Sequence, residues 1–215
     1  MTVFSILLVG LLLGMKHATE ADHLAAVATL ATRQASLAQT LRQGVAWGVG
    51  HTLSLMLFGG AVFLLGQAIS PSLEQALETA VGIMLIVLGA DVLRRLAVER
   101  IQLHVHRHEH ARRWPLRALA VGMMHGLAGS AALVMLSLKS LPSWSIGLAY
   151  IVVFGVGSIA GMALLSMAIA LPLRLSAGYL LGLHRSMTGL VGLFSCVLGA
   201  YMVVEIGYLH AALFG

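Results

Sequence analysis

Charge is scarce in this chain: Asp, Glu, Lys and Arg make up 10% of its 215 residues, against about 25% in an ordinary soluble domain. Its one cysteine, Cys196, excludes an internal disulfide and a two-thiol relay. Aromatic residues amount to 6% and do not alternate with basic ones, so the net charge of +5 does not describe a nucleic-acid surface. The four prolines, Pro71, Pro115, Pro142 and Pro172, are expected at or near the ends of apolar runs, where a missing amide donor does least damage. No Lys or Arg precedes the N-terminal apolar run and no small-residue cleavage site follows it, so a cleavable leader is not expected. The sequence carries no Walker-type phosphate loop.

Apolar residues, by contrast, make up 59% of the chain, at a mean hydropathy of +0.94. A soluble fold of this length has too little interior to hide that surface, so the solvent is lipid. Six runs are long enough to cross a hydrocarbon core of about 20 helical residues, near 4–31, 44–67, 75–97, 117–138, 145–171 and 186–209. The expected fold is an all-α integral membrane protein of about six transmembrane helices, whose first partner is the bilayer. Arg33 and Arg42 fall between runs one and two, and Arg94, Arg95, Arg100, Arg107, Arg112, Arg113 and Arg117 around the link between three and four. Arg174 and Arg185 lie between five and six, whereas the other side holds Lys139, Glu74 and Glu78. The positive-inside rule then puts both termini outside a multi-pass cell (inner) membrane protein.

The two halves can be overlaid. Gly14-Met15-Lys16-His17 matches Gly122-Met123-Met124-His125, and Gly48-Val49-Gly50-His51 matches Gly155-Val156-Gly157-Ser158. Val81-Gly82 with Val87-Leu88-Gly89-Ala90 matches Val191-Gly192 with Val197-Leu198-Gly199-Ala200, all at offsets of roughly 107 to 110 residues. The expected organisation is a first three-helix repeat over 1–100, a His-rich cytoplasmic link over 101–114 and a second repeat over 115–215. Three spans per unit is an odd number, so the second unit is inverted, an arrangement typical of secondary transporters with sites at the repeat interface.

Ionisable residues in hydrocarbon are costly and mark pathways, relays or sites. Here they concentrate in His17-Ala-Thr-Glu-Ala-Asp-His23. At about 100° per residue in a continuous helix, His17, Asp22 and His23 cannot share a narrow face. Either the helix breaks near Gly14, or His17, Glu20 and His23 line one face with Asp22 behind them. His51 and His125 complete the set from other helices; Met15, Met123 and Met124 beside them read first as packing in an apolar helix and only second as soft neighbours. Imidazole and carboxylate together suit Ni²⁺, Co²⁺ or Zn²⁺, whereas Mg²⁺ and Ca²⁺ prefer oxygen. The metal residues expected are thus His17, Asp22, His23, His51 and His125, with Glu20 weaker. His104, His106, His108 and His110, alternating in the link, form an accessory metal-binding tract. Asp91 and Glu205 read as interfacial caps or relay groups. No prosthetic group is expected. The divalent ion is cargo, and a homo-oligomer or a partner subunit is open.

At His17–His23 the chain resembles the nickel/cobalt transporter (NiCoT) family, whose signature is His, four residues, Asp-His. It looks closest to the short UreH-like branch, and the inverted halves fit the wider LysE-like transporter group. Gly50-His51-Thr52 is similar to the family's second His-containing motif. The resemblance implies a Ni²⁺ or Co²⁺ permease, with His17, Asp22, His23 and His51 as binding residues and uptake favoured over efflux. Longer members have eight spans and carboxylates where this chain has Gly126-Leu-Ala-Gly-Ser130. The alternative of another class is a membrane-embedded metal-dependent enzyme, which needs a nucleophile or activated water within reach of substrate.

Overall fold

The computed structural model describes residues 2–32, 36–61, 70–99, 115–127, 143–179 and 181–214, and every regular element among them is helical. The elements are α1 (Val3–His17), α2 (Ala21–Ala31), α3 (Leu37–Ser54), α4 (Pro71–Glu99), α5 (Leu116–Leu127), α6 (Trp144–Tyr179) and α7 (Leu181–Phe214). A wider π turn, Leu55–Gly59, continues α3. Helices α4, α6 and α7 are each long and apolar enough to cross a membrane, and α1 with α2, bent at the break between them, pass the same test as a pair. Large apolar side chains cover the outside, including Phe4, Leu57, Leu116, Leu164 and Leu190. Such a surface is untenable in water and ordinary against lipid. The protein is a multi-pass, all-α membrane protein.

The first span is not one helix. α1 starts on a Thr2 cap, whose hydroxyl accepts from the Ser5 amide at 3.2 Å. It ends at His17, and α2 leaves at 58° to it. The break therefore lies at residues 18–20 rather than near Gly14. Thr19 makes it affordable in a dry setting: its hydroxyl donates to the Lys16 carbonyl at 2.6 Å, and its amide to the same oxygen at 2.8 Å. The freed carbonyl is satisfied locally, as the membrane requires.

α2 is the centre of the bundle. Ala25, Ala26, Val27, Ala28, Leu30 and Ala31 are all buried, and the helix packs against α3, α4, α6 and α7. Four alanines let those neighbours come close.

Around it the helices pair across the sequence. α1 runs along α6, α3 along both α5 and α6, and α4 along α7. Glycine sets each contact. A Cβ on Gly14 would strike the Phe154 carbonyl, and one on Gly157 the Leu11 carbonyl. Likewise Gly122 faces the Trp47 carbonyl and Gly50 the Leu119 carbonyl. Between α4 and α7, Gly89 meets Gly192 and Gly199 meets Gly82, while the Ser195 hydroxyl donates to the Leu85 carbonyl at 2.8 Å.

Pro172 lies inside α6, close to the end of the candidate span Ser145–Ser176. Asp91 is paired with Arg95 of its own helix at 3.2 Å, a surface contact one turn apart. Residues 101–114, with His104, His106, His108 and His110, lie outside the described residues.

Candidate metal centre

The break in the first span presents two helix ends to the middle of the bundle. His17 is the last residue of α1, and Asp22 and His23 form the first turn of α2. His51 comes from α3 and His125 from α5. All four imidazoles are buried, none more than 4% exposed. Ring centroids are 4.3 Å apart for His17 and His23, 5.2 Å for His17 and His51, and 5.1 Å for His23 and His51. His125 joins at 4.0 Å from His23. One ring nitrogen from each of His17, His23 and His51 lies within 4.8 Å of the others.

Asp22 organises two of these rings. Its Oδ1 accepts from the His23 backbone amide at 2.8 Å and lies 3.0 Å from His23 Nδ1. Its Oδ2 lies 2.8 Å from His125 Nε2. A carboxylate holding an imidazole N–H fixes the tautomer and leaves a lone pair on the opposite nitrogen. Those opposite nitrogens, His23 Nε2 and His125 Nδ1, have no hydrogen-bonding partner among the described residues. His51 has none on either nitrogen. Glu20 Oε1 is 2.9 Å from His17 Nδ1 but off the direction of donation, so both His17 nitrogens are unpartnered too. Buried polar nitrogens are normally paired; here four rings leave theirs open in one place.

Glycines make the gathering sterically feasible. The Gly126 α-carbon faces the His51 carbonyl, and Gly122 faces the Trp47 carbonyl and indole. Any side chain there would drive α5, and His125 with it, away from α3. Phe154 closes one side against His17 at 5.6 Å, and Trp47 stacks on His23 at 5.7 Å.

The structure thus brings together His17, Asp22, His23, His51 and His125. It leaves Glu20 at the margin, 47% exposed. Met123 and Met124 face outward. Trp47 and Ser158 were not anticipated. Ser158 is buried with an unpartnered hydroxyl and aligns with His51 in the internal overlay, which was the available signal. Trp47, one turn before His51 on α3, carried none beyond that spacing.

Comparison with known proteins fits this picture. Over 214 residues the chain is 34% identical to the urease accessory protein UreH of Bacillus sp. (strain TB-90), covering 95% of this chain and 93% of that one. The chain belongs to the UreH family. This UreH-family chain is also 28% identical over 169 residues to chloroplast protein FOR GROWTH AND FERTILITY 1 of Arabidopsis thaliana. It is 27% identical over 151 residues to FOR GROWTH AND FERTILITY 2 of the same plant. Those matches cover 71% and 66% of this chain but only 46% and 40% of the plant proteins. No protein-family model matches, and no solved structure matches.

Proposed function

We propose that this UreH-family protein is a permease for Ni²⁺, with Co²⁺ as the nearest competitor, working in uptake across the cell membrane. The observation that carries the reading is the convergence of His17, His23 and His51, buried and with ring nitrogens unpartnered, within 4.8 Å of one another. Three imidazoles in a buried site suit a late first-row divalent ion and give Mg²⁺ or Ca²⁺ little. The cluster sits where a transporter holds its cargo, at the ends of a broken helix. The C-terminal end of α1 adds its negative dipole end. In this reading His17, His23 and His51 replace the ion's waters, Asp22 orients His23 and His125, and His125 links the site to the second half. That assignment makes Asp22 an orienting group rather than a ligand.

The wider architecture belongs to the same proposal: six spans as two inverted three-helix repeats, 1–100 and 115–215, joined by the histidine-bearing link 101–114, with both termini outside. It is supported by the reciprocal contacts, Gly14 on Phe154 against Gly122 on Trp47, and Gly157 on Leu11 against Gly50 on Leu119. The partners in each pair of contacts are related by the same sequence overlay. Rocking of the halves about this interface would expose the cluster to each side in turn. Kinship to a urease accessory protein supports this reading, of which membership in the nickel/cobalt transporter group, within the LysE-like set, is a part.

The test is ⁶³Ni²⁺ accumulation in cells expressing wild type, His17→Ala or His23→Ala. Accumulation raised by wild type and lost in both variants is expected. Accumulation lowered by wild type and restored by the variants would reverse the direction to efflux, and no dependence on either histidine would sink the site.

A further inference from the structure

One face of α3 runs from the imidazole cluster toward the end of the bundle that carries Arg42. His51, Trp47, Gln43 and Thr40 succeed one another at helical spacing along it and are all buried. Eight residues separate His51 from Gln43, about 12 Å at 1.5 Å per residue. Between α2, α3 and α6 this face borders a cavity lined by Val27, Leu30, Thr40, Gln43, Trp47 and Ser166, among others. Its volume, about 10 Å³ counted for water centres, suits about one water molecule.

The lining is polar where a dry seam would be apolar. Gln43 Oε1 and Trp47 Nε1 are buried without a partner. The Thr40 hydroxyl donates to the Ser36 carbonyl and the Ser166 hydroxyl to the Met162 carbonyl, leaving both oxygens free to accept. The lining residues thus bring the unpartnered Gln43 side-chain carbonyl and two hydroxyl oxygens to the border of one small space. Trp47 touches both regions: its ring lies 5.7 Å from His23 and from His125, and it also lines the cavity.

We propose that this cavity is a rehydration station. Gln43, Thr40 and Ser166 hold the water that replaces an imidazole as a divalent cation leaves the cluster toward the Arg42 end. Trp47 separates that water from the cluster until then. The idea rests on the permease reading and adds a step to it. A metal ion leaves a tight donor set fastest when each lost ligand is replaced at once, and a water already oriented with its oxygen toward the ion does this. Acceptors bind that water's hydrogens and turn its lone pairs outward.

Purified protein in proteoliposomes separates the two ideas, with Ni²⁺ as the probe. Wild type is expected to bind nickel and carry a ⁶³Ni²⁺ flux; a wild type that binds none removes the permease reading and this step with it. Gln43→Leu is expected to keep nickel affinity within about twofold while its initial flux falls at least fivefold. Gln43→Glu, of equal size, places a carboxylate in the cavity; it is expected to bind a second nickel equivalent and to slow flux. It also carries the test if the leucine variant does not fold. Wild-type flux in Gln43→Leu, loss of nickel binding in it, or unchanged stoichiometry in Gln43→Glu would each overturn the station while leaving the permease in place.

Discussion

Asp22 Oδ2 lies 2.8 Å from His125 Nε2, joining residues 103 positions apart. The other oxygen of the same carboxylate holds His23 at 3.0 Å, so one side chain sets the tautomers of two rings on two helices. Asp22→Asn keeps the shape but can offer only one acceptor and one donor pair. We expect nickel affinity, measured by equilibrium binding to purified protein, to fall about 10–100-fold, the usual effect of removing an orienting partner. Unchanged affinity would show that the carboxylate does not fix these rings.

His51 has no partner on either ring nitrogen and lies at the heart of the cluster. His51→Ala is expected to abolish nickel transport without lowering thermal stability, because the lost nitrogens satisfy nothing in the ion-free protein. Tm and flux measured on the same preparation decide it. A large fall in Tm would mark the ring as a packing element instead.

Gly126 faces the His51 carbonyl across the α3–α5 contact. Gly126→Val overpacks that contact and is expected to cost about 1–3 kcal/mol. Gly60, where an added Cβ would meet no described atom within 4 Å, supplies the control: Gly60→Ala should leave stability within about 0.5 kcal/mol. Denaturation monitored in detergent compares the two.

Imidazole binds a metal ion only when its donor nitrogen is free of a proton. Nickel affinity should therefore hold near neutral pH and decline once the medium is acid enough to protonate the donor nitrogens. Equilibrium binding across an acid pH series checks this. Affinity that survives protonation of the rings would point away from the histidines.

Replacing His104, His106, His108 and His110 together with Ala is expected to change apparent affinity or regulation and to leave transport working. Flux titrated against nickel concentration distinguishes this from a required ligand set, in which maximal flux would vanish.

Much of this was legible in the sequence, for identifiable reasons. Composition alone declares the lipid, because 59% apolar residues cannot be hidden in water. His17, Asp22, His23 and His51 stand out because ionisable groups are rare in such runs, and His125 emerges only through alignment with His17. The position of the helix break was misread. Gly14 looked like the weak point, yet it is a packing contact against Phe154, and the break falls where Thr19 can bond the Lys16 carbonyl. Glu20 could not be sorted from its neighbours on a continuous-helix wheel, since the 58° bend changes every later angle. Trp47 was invisible because nothing in a lone Trp announces what its ring will lean on.

The crossed pairing of helices has a consequence for biosynthesis. α1 and α3, which bear His17 and His51, find their main packing partners in α6 and α5, which begin only at Trp144 and Leu116. A chain still emerging from the ribosome with only its early spans inserted has the histidines but nothing to clamp them together. Assembly of the cluster thus waits on completion of the polypeptide, and a truncated product leaves the histidines apart.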